Sequence, residues 1–325
     1  MIIVTGGAGF IGSALVAELN KRGVDDILVV DRLACDQRWK NLVNLRFADY
    51  IDKDDFLDMV AEDVLPFSVE AVFHLGACSS TTETDVSFLM ENNYEYTKQL
   101  AQWAADENIR FIYTSSAATY GDGSQGFSDD EAKLETLKPL NPYGYSKQIF
   151  DLWAKRNGLF KKIVGLKYFN VFGPNEYHKG EMRSFALKAF EQINATGKVR
   201  LFKSHRPDYK DGEQKRDFLY VKDAVDMTLF FLDNPKTAGI YNLGAGTART
   251  WNDLAKAVFA AMGRAPNIEY IDMPDSVRNQ YQYFTEADIS KLRTAGYKAS
   301  ITSLEDAVKD YVQNYLKKET YIGVD

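Results

Sequence analysis

Cysteine and histidine are scarce in this chain. Two cysteines, Cys35 and Cys78, cannot build a disulfide framework. The three histidines, His74, His178 and His205, are scattered, so no metal centre is expected. Long apolar runs are missing too, and nothing approaches the roughly 20 residues that cross a bilayer. The opening Met1-Ile2-Ile3-Val4 already reads as a strand, unlike a secretory signal. No membrane association and a cytoplasmic location are the expectations. Positive charge is also in deficit, with 39 Lys and Arg against 46 Asp and Glu, a net −7. That argues against a nucleic-acid partner while leaving local basic clusters for phosphates. There is no internal repeat and no low-complexity tract.

What remains is a composition that can bury a large core: 325 residues, 45% hydrophobic and 26% charged. In the first half, short apolar runs alternate with helical patterns, which implies an α/β fold with a parallel sheet covered on both faces. Strands are predicted at Ile2–Val4, Ile27–Val30, Ala71–Leu75, Arg110–Thr114 and Ile163–Lys167. Helices are predicted from Ser13 to Arg22, from Asn92 to Asn108 and from Tyr143 to Asn157. Beyond Asn170, glycine, proline and charge cluster at 173–180 and 204–215 and mark long loops. A strand at 217–221 and a helix at 224–232 follow. Tyr241–Leu243, Trp251–Met262 and Leu304–Leu316 are expected to complete a smaller lobe, with Thr302 and Glu305 as a capping box for the last helix. The expected division is 1–169 for one domain, which also receives segments near 217–242, and 170–325 for the other.

Between the first strand and first helix stands Thr5-Gly6-Gly7-Ala8-Gly9-Phe10-Ile11-Gly12. Gly7, Gly9 and Gly12 satisfy one spacing of the glycine fingerprint, and Gly6, Gly9 and Gly12 another. Both suit a tight turn that brings backbone, with Phe10 and Ile11, close to a pyrophosphate at a helix N-terminus. Asp31 falls nineteen residues beyond Gly12, where an acid meets the adenosine ribose. That sheet becomes a Rossmann-type doubly wound one. A carboxylate alone favours NAD, but Arg32, Arg38, Lys40 and Lys53 gather positive charge at the same place. The balance favours NADP, with NAD as the alternative.

Tyr143 and Lys147 lie four apart in Asn141-Pro142-Tyr143-Gly144-Tyr145-Ser146-Lys147, so a helix stacks them on one face. A free phenol ionises near pH 10, and an adjacent ammonium is expected to favour the phenolate. Thr114-Ser115-Ser116-Ala117-Ala118 follows a predicted strand and presents hydroxyls at its carboxyl end.

With this serine, tyrosine and lysine in place, the chain resembles the extended short-chain dehydrogenase/reductase family along its length. Further motifs are Asn170-Val171-Phe172-Gly173-Pro174, Lys215-Arg216-Asp217-Phe218 and Asn242-Leu243-Gly244. The resemblance implies that Tyr143 is the acid/base and that Lys147 tunes it and holds the nicotinamide ribose. It implies that Ser116, or less readily Ser115, orients the reacting oxygen. Dehydratases of the family carry an Asp-Glu pair where this chain has Ala117-Ala118, so water elimination is not expected.

Gly76-Ala77-Cys78-Ser79-Ser80-Thr81-Thr82-Glu83 and Asn175-Glu176-Tyr177-His178-Lys179-Gly180 are similar to the nucleotide-sugar epimerases that act on an ADP-heptose. That likeness implies a 6-epimerase of lipopolysaccharide synthesis working through a transient ketone, and a homo-oligomer, pentameric in related enzymes. It implies Lys179 as a second acid/base, against the plainer reading of a surface or phosphate-binding lysine. It places Leu75, Gly76, Ala77, Cys78, Ser79 and Asn92 about the cofactor; an acid is usual at Leu75. Asn170, Val171, Glu181, Lys188, Phe202, Arg216 and Tyr281 are placed about the sugar nucleotide. Arg216 is suited to its diphosphate. His74 is expected in the core, and Cys78 as packing.

Overall fold

Alternation along a strand sends successive side chains to opposite faces, and the first strand shows this in four residues. β1 (Ile2–Thr5) gives Ile2 and Val4 to one apolar cluster and Ile3 to another. Every residue of β1, β2 (Ile27–Asp31), β4 (Ala71–His74), β6 (Val164–Tyr168) and β10 (Gly239–Leu243) is buried, as in strands covered on both sides. The computed structural model describes residues 1–33, 35–278 and 281–323.

These strands join β3 (Asp49–Asp52) and β5 (Arg110–Ser116) in one parallel seven-stranded sheet of order β10-β6-β5-β4-β1-β2-β3. The chain builds outward from β1 to β3, then crosses to β4 and builds the other way. β1 therefore pairs with both β2 and β4, Ile2 opposing Ile27 on one side and Ala71 on the other. Such a reversal leaves a crevice at the carboxyl ends of the strands.

Helices α1 (Phe10–Lys21) and α7 (Val221–Asp233) pack together beside the sheet. α2 (Lys53–Ala61), α4 (Tyr96–Asp106) and α5 (Pro142–Arg156) bury residues in the second cluster. A short α3 (Val86–Leu89) enters α4 through a wide π turn at Met90–Glu95. α5 starts where its sequence dictates: Asn141 caps the Gly144 N–H at 2.8 Å and Pro142 occupies the first turn. The smaller lobe carries β7 (Asn170–Phe172), β9 (Lys215–Tyr220) and β11 (Ala248–Thr250) in one sheet, and β8 (Val199–Phe202) beside β12 (Ile268–Ile271) in another. Its longer helices are α6 (Phe185–Thr196) and α8 (Trp251–Met262). Among the described residues no helix is long and apolar enough to cross a membrane.

Several expectations change. Tyr241–Leu243 belongs to the edge strand β10 of the large sheet, hydrogen-bonded to β6, and not to the smaller lobe. β3 and α2 are additional: Asp49-Tyr50-Ile51-Asp52 is an edge strand whose polar residues conceal it. α1 begins at Phe10, so Gly12 lies inside the helix. The helix at Leu304–Asp310 is capped by Ser303, which accepts from the Asp306 N–H at 3.1 Å, while the Thr302 hydroxyl is spent on Asp223 at 2.8 Å.

Candidate active site

A cleft of about 660 Å³ opens at the crevice, lined from the glycine turn, from Leu75–Ser80 after β4, from Thr114–Ser116 of β5, and from α5. The turn admits only glycine at two points. Gly6 has φ +68°, and a Cβ there would lie 2.6 Å from the Gly76 nitrogen. A Cβ on Gly12 would lie 2.1 Å from the Gly6 carbonyl oxygen. Gly9 caps α1 without any side-chain acceptor, so the first-turn N–H groups beside Phe10, Ile11 and Gly12 meet the cleft with no protein side chain capping them. That is the geometry a dinucleotide diphosphate requires, and these residues fit one.

Asp31 ends β2 at the cleft. Its Oδ2 accepts from the Ala8 N–H at 3.0 Å, and its Oδ1 from the Arg32 N–H at 2.7 Å and from Arg38 at 3.1 Å. Burial raises its pKa, with those hydrogen bonds working against the rise. Arg38 also pairs with Asp36 at 2.7 Å. A smaller cavity of about 250 Å³ adjoins the first and brings Asp31, Arg32, Arg38, Lys53 and Asn92 together with Gly76, Ala77 and Cys78. Lys40 turns away to Gln37 at 3.0 Å.

Ser116, Tyr143 and Lys147 all line the cleft. The Ser116 Oγ accepts from the Ala118 N–H at 3.1 Å, and the Lys147 Nζ donates to the Thr114 carbonyl at 2.9 Å. Burial pulls Lys147 down to about 8, with Asp151 opposing. Burial also raises the Tyr143 phenol, with the Ser116 hydroxyl opposing. The expected lowering of the phenol by its lysine is thus not what the structure gives: desolvation dominates, and the ammonium is engaged by a backbone carbonyl. Ser115 also lines the cleft, and its hydroxyl donates to Asp151 at 2.7 Å.

Asn93 is the residue that sequence reasoning missed. The π turn presents it one position on from Asn92, where its side chain accepts from the Cys78 N–H at 2.8 Å and donates to the Cys78 carbonyl at 2.9 Å and to Ser146 at 3.1 Å. It fastens the loop after β4 to α5. The signal was there in the doubled asparagine, but a regular helix predicts no such shift.

Lys179 lies in the turn Tyr177–Met182 and lines the cleft, its Nζ 5.2 Å from the Phe10 ring centre. Burial lowers its pKa, with Glu176 opposing. Glu176 is wholly buried and accepts from the Ser184 N–H and hydroxyl, both at 2.6 Å, and from Tyr311 at 3.1 Å. His178 lines the cleft as well, and burial pulls it down to about 4.

Asn170 and Val171 line the cleft, whereas Arg216 and Tyr281 are not among its lining residues. The Arg216 guanidinium sits between the rings of Trp251, at 5.6 Å, and Tyr281, at 5.2 Å, and Trp251 is itself a lining residue. Phe202, Glu181 and Lys188 are not brought into the cleft. Lys188 pairs with the exposed Glu181 at 3.3 Å, and Phe202 belongs to β8. These three positions came from family likeness, with no local physical pattern behind them.

The model of the NAD dependent epimerase/dehydratase family matches residues 2–244. The chain is 58% identical over 316 residues to the ADP-L-glycero-D-manno-heptose-6-epimerase of Nitratidesulfovibrio vulgaris, covering 97% of this chain and 98% of that one. Among solved structures, the Helicobacter pylori ADP-L-glycero-D-manno-heptose-6-epimerase is similar with a TM-score of 0.81 and 28% identity, over 96% of this chain and 95% of that one. The Thermus thermophilus UDP-glucose 4-epimerase in complex with NAD has a TM-score of 0.76 and 26% identity, over 97% and 98%. A glycine turn fitted to a diphosphate, a Ser-Tyr-Lys group beside it and full-length likeness agree, and the chain belongs to the NAD dependent epimerase/dehydratase family, among its nucleotide-sugar epimerases.

Proposed function

We propose that this enzyme inverts C6 of ADP-D-glycero-D-manno-heptose, giving the L-glycero epimer for the lipopolysaccharide inner core. The observation that carries the reading is two proton-transfer groups from separate elements, Tyr143 and Lys179, lining one cleft beside the glycine turn. Ala117 and Ala118, in place of an acid pair, leave no group there for elimination.

A nicotinamide dinucleotide, when bound, supplies a reversible hydride acceptor. Tyr143 takes the proton of the C6 hydroxyl as that carbon becomes a ketone, and Ser116 holds the oxygen. Lys147, fixed by the Thr114 carbonyl, holds the ribose side of the site. Lys179 gives a proton to the oxygen as the ketone is reduced from its other face. The proton left on Tyr143 passes through solvent to recharge Lys179, so neither redox state nor protonation changes over a cycle. Rotation of the ketone past Tyr143 alone is the second route. Arg216 steadies the diphosphate of the sugar nucleotide. NADP is the favoured cofactor, because Arg32, Arg38 and Lys53 share a cavity with Asp31 and suit a 2′-phosphate. Residues 1–169, with the returning segments near 217–242, form the dinucleotide domain in this reading, and 170–325 form the substrate lobe. A cytoplasmic homo-oligomer, pentameric by likeness to related enzymes, is the expected form.

Incubation with ADP-D-glycero-D-manno-heptose and no added cofactor tests this directly: C6 inversion is expected, and its absence overturns the reading. Tyr143→Phe should cut turnover by about 10²–10⁴, whereas Lys179→Ala with full turnover in both directions would leave rotation past Tyr143 as the route.

A further inference from the structure

Helix α5 carries a third residue on the Tyr143–Lys147 face. Asp151 follows Lys147 by four, and helical spacing stacks all three. It lies wholly buried and takes three donors: the Tyr113 hydroxyl at 2.8 Å, the Ser115 hydroxyl at 2.7 Å and the Lys167 ammonium at 2.7 Å. Lys167 comes from β6, opposite Ser115 in register, and its side chain is as fully buried as that of Asp151. It also donates to Thr119 at 2.6 Å and rests 5.2 Å from the Tyr120 ring centre.

α5 therefore grips three consecutive residues of β5: Asp151 holds Tyr113 and Ser115, and Lys147 holds the Thr114 carbonyl between them. The next residue is Ser116. A wholly buried ion pair commonly brings a fold no more stability than well-packed apolar side chains would. Its purpose is then to be sought in what it holds. We infer that Asp151 is a positioning residue, paired with Lys167, which fixes the Ser116 end of β5 against the helix face that carries Tyr143 and Lys147. The carboxylate pairs directly with Lys167 and, one helical turn from Lys147, its charge opposes the loss of the Lys147 proton that burial favours. The other ionisable groups facing this cluster are Asp129, Glu131, Tyr113, Tyr120, His74 and Cys78.

The inference rests on the Ser116–Tyr143–Lys147 reading of the site, and the experiment separates the two. Turnover, KM and the pH–rate profile are measured per mole of folded protein for Asp151→Asn and for the apolar pair Asp151→Leu with Lys167→Met. Tyr143→Phe serves as control. For Asp151→Asn, kcat is expected to fall tenfold or more with KM within twofold, and the basic limb is expected to move to lower pH. The paired variant, which removes both charges, should show the same loss of kcat in its folded fraction. Ser115→Ala, which removes one grip only, should show a smaller loss in kcat. Wild-type kcat and an unmoved pH profile in the folded variants, whatever their melting temperature, would overturn the inference. Turnover surviving in Tyr143→Phe would instead overturn the acid/base reading beneath it.

Discussion

His74 shows how one side chain ties the core to the site. Its Nδ1 lies 2.7 Å from the Thr5 hydroxyl and its Nε2 2.8 Å from the Thr97 hydroxyl. Thr97 already spends its proton on the Asn93 carbonyl at 2.6 Å, so Nε2 must carry the hydrogen and Nδ1 must accept from Thr5. Protonation would place a second donor against that hydroxyl in a site closed to water. Burial, with the charge of Lys147 added, holds the imidazole down to about 3. A depressed folded-state pKa means that the native state binds fewer protons. The stability is fully present above the unfolded value near 6.5 and is lost as pH falls towards 3. At pH 5 the loss is about 2 kcal/mol. Urea midpoints at pH 7 and pH 5 check this: His74→Gln should be weaker at pH 7 yet lose less than the wild type on acidification. The core placement of His74 was legible because it follows three apolar residues in a short strand. The roles offered for Phe202, Glu181 and Lys188 were not, since no periodicity or charge pattern near them points to a cleft.

Among the elements, the turn that carries Lys179 depends on distant support. Asn175 is buried at φ +77°, donates to the Ser13 hydroxyl at 2.9 Å and accepts from the Ile322 N–H at 2.8 Å. Its carbonyl accepts from Asn41 at 3.1 Å, and Asn41 also donates to Ala8 in the glycine turn at 2.9 Å. Tyr177 adds a bond to the Thr320 carbonyl at 2.9 Å. Asn175→Ala strands two buried partners and keeps the left-handed backbone. It should cost about 2–4 kcal/mol, read as a drop in urea midpoint. Asn175→Gly should recover about 1 kcal/mol of that by relieving the backbone. Equal losses in the two variants would show that the backbone term is absent. Long apolar helices and strands were legible from periodicity. The π turn at Met90–Glu95 and the Ser303 cap were not, because each shifts the pattern by one residue and only tertiary contacts choose between neighbours.

For the molecule as a whole, the alternation of strand and helix announced a parallel sheet, and the glycine turn announced its ligand-bearing edge. What stayed hidden was the far side: β10 is separated from its neighbour β6 by the smaller lobe's first strands and helices, and a contact so remote in sequence leaves no local trace. Because the cleft gathers residues from both parts of the chain, a dinucleotide should stabilise the entire protein. Added to nucleotide-free protein at 100 times its Kd, it should raise unfolding free energy by about 2.7 kcal/mol. NADP should reach that effect at lower concentration than NAD, measured by thermal shift. Equal concentration dependence for the two would sink the preference for the 2′-phosphate.

The bond from Ile322 to Asn175 spans 147 residues. During translation the turn bearing Lys179 emerges long before the segment that pins it, while the glycine turn, Ser116, Tyr143 and Lys147 are all made earlier still. A nascent chain can therefore bring the glycine turn, Ser116, Tyr143 and Lys147 together first, and the turn that bears Lys179 is pinned only once residue 322 has been made.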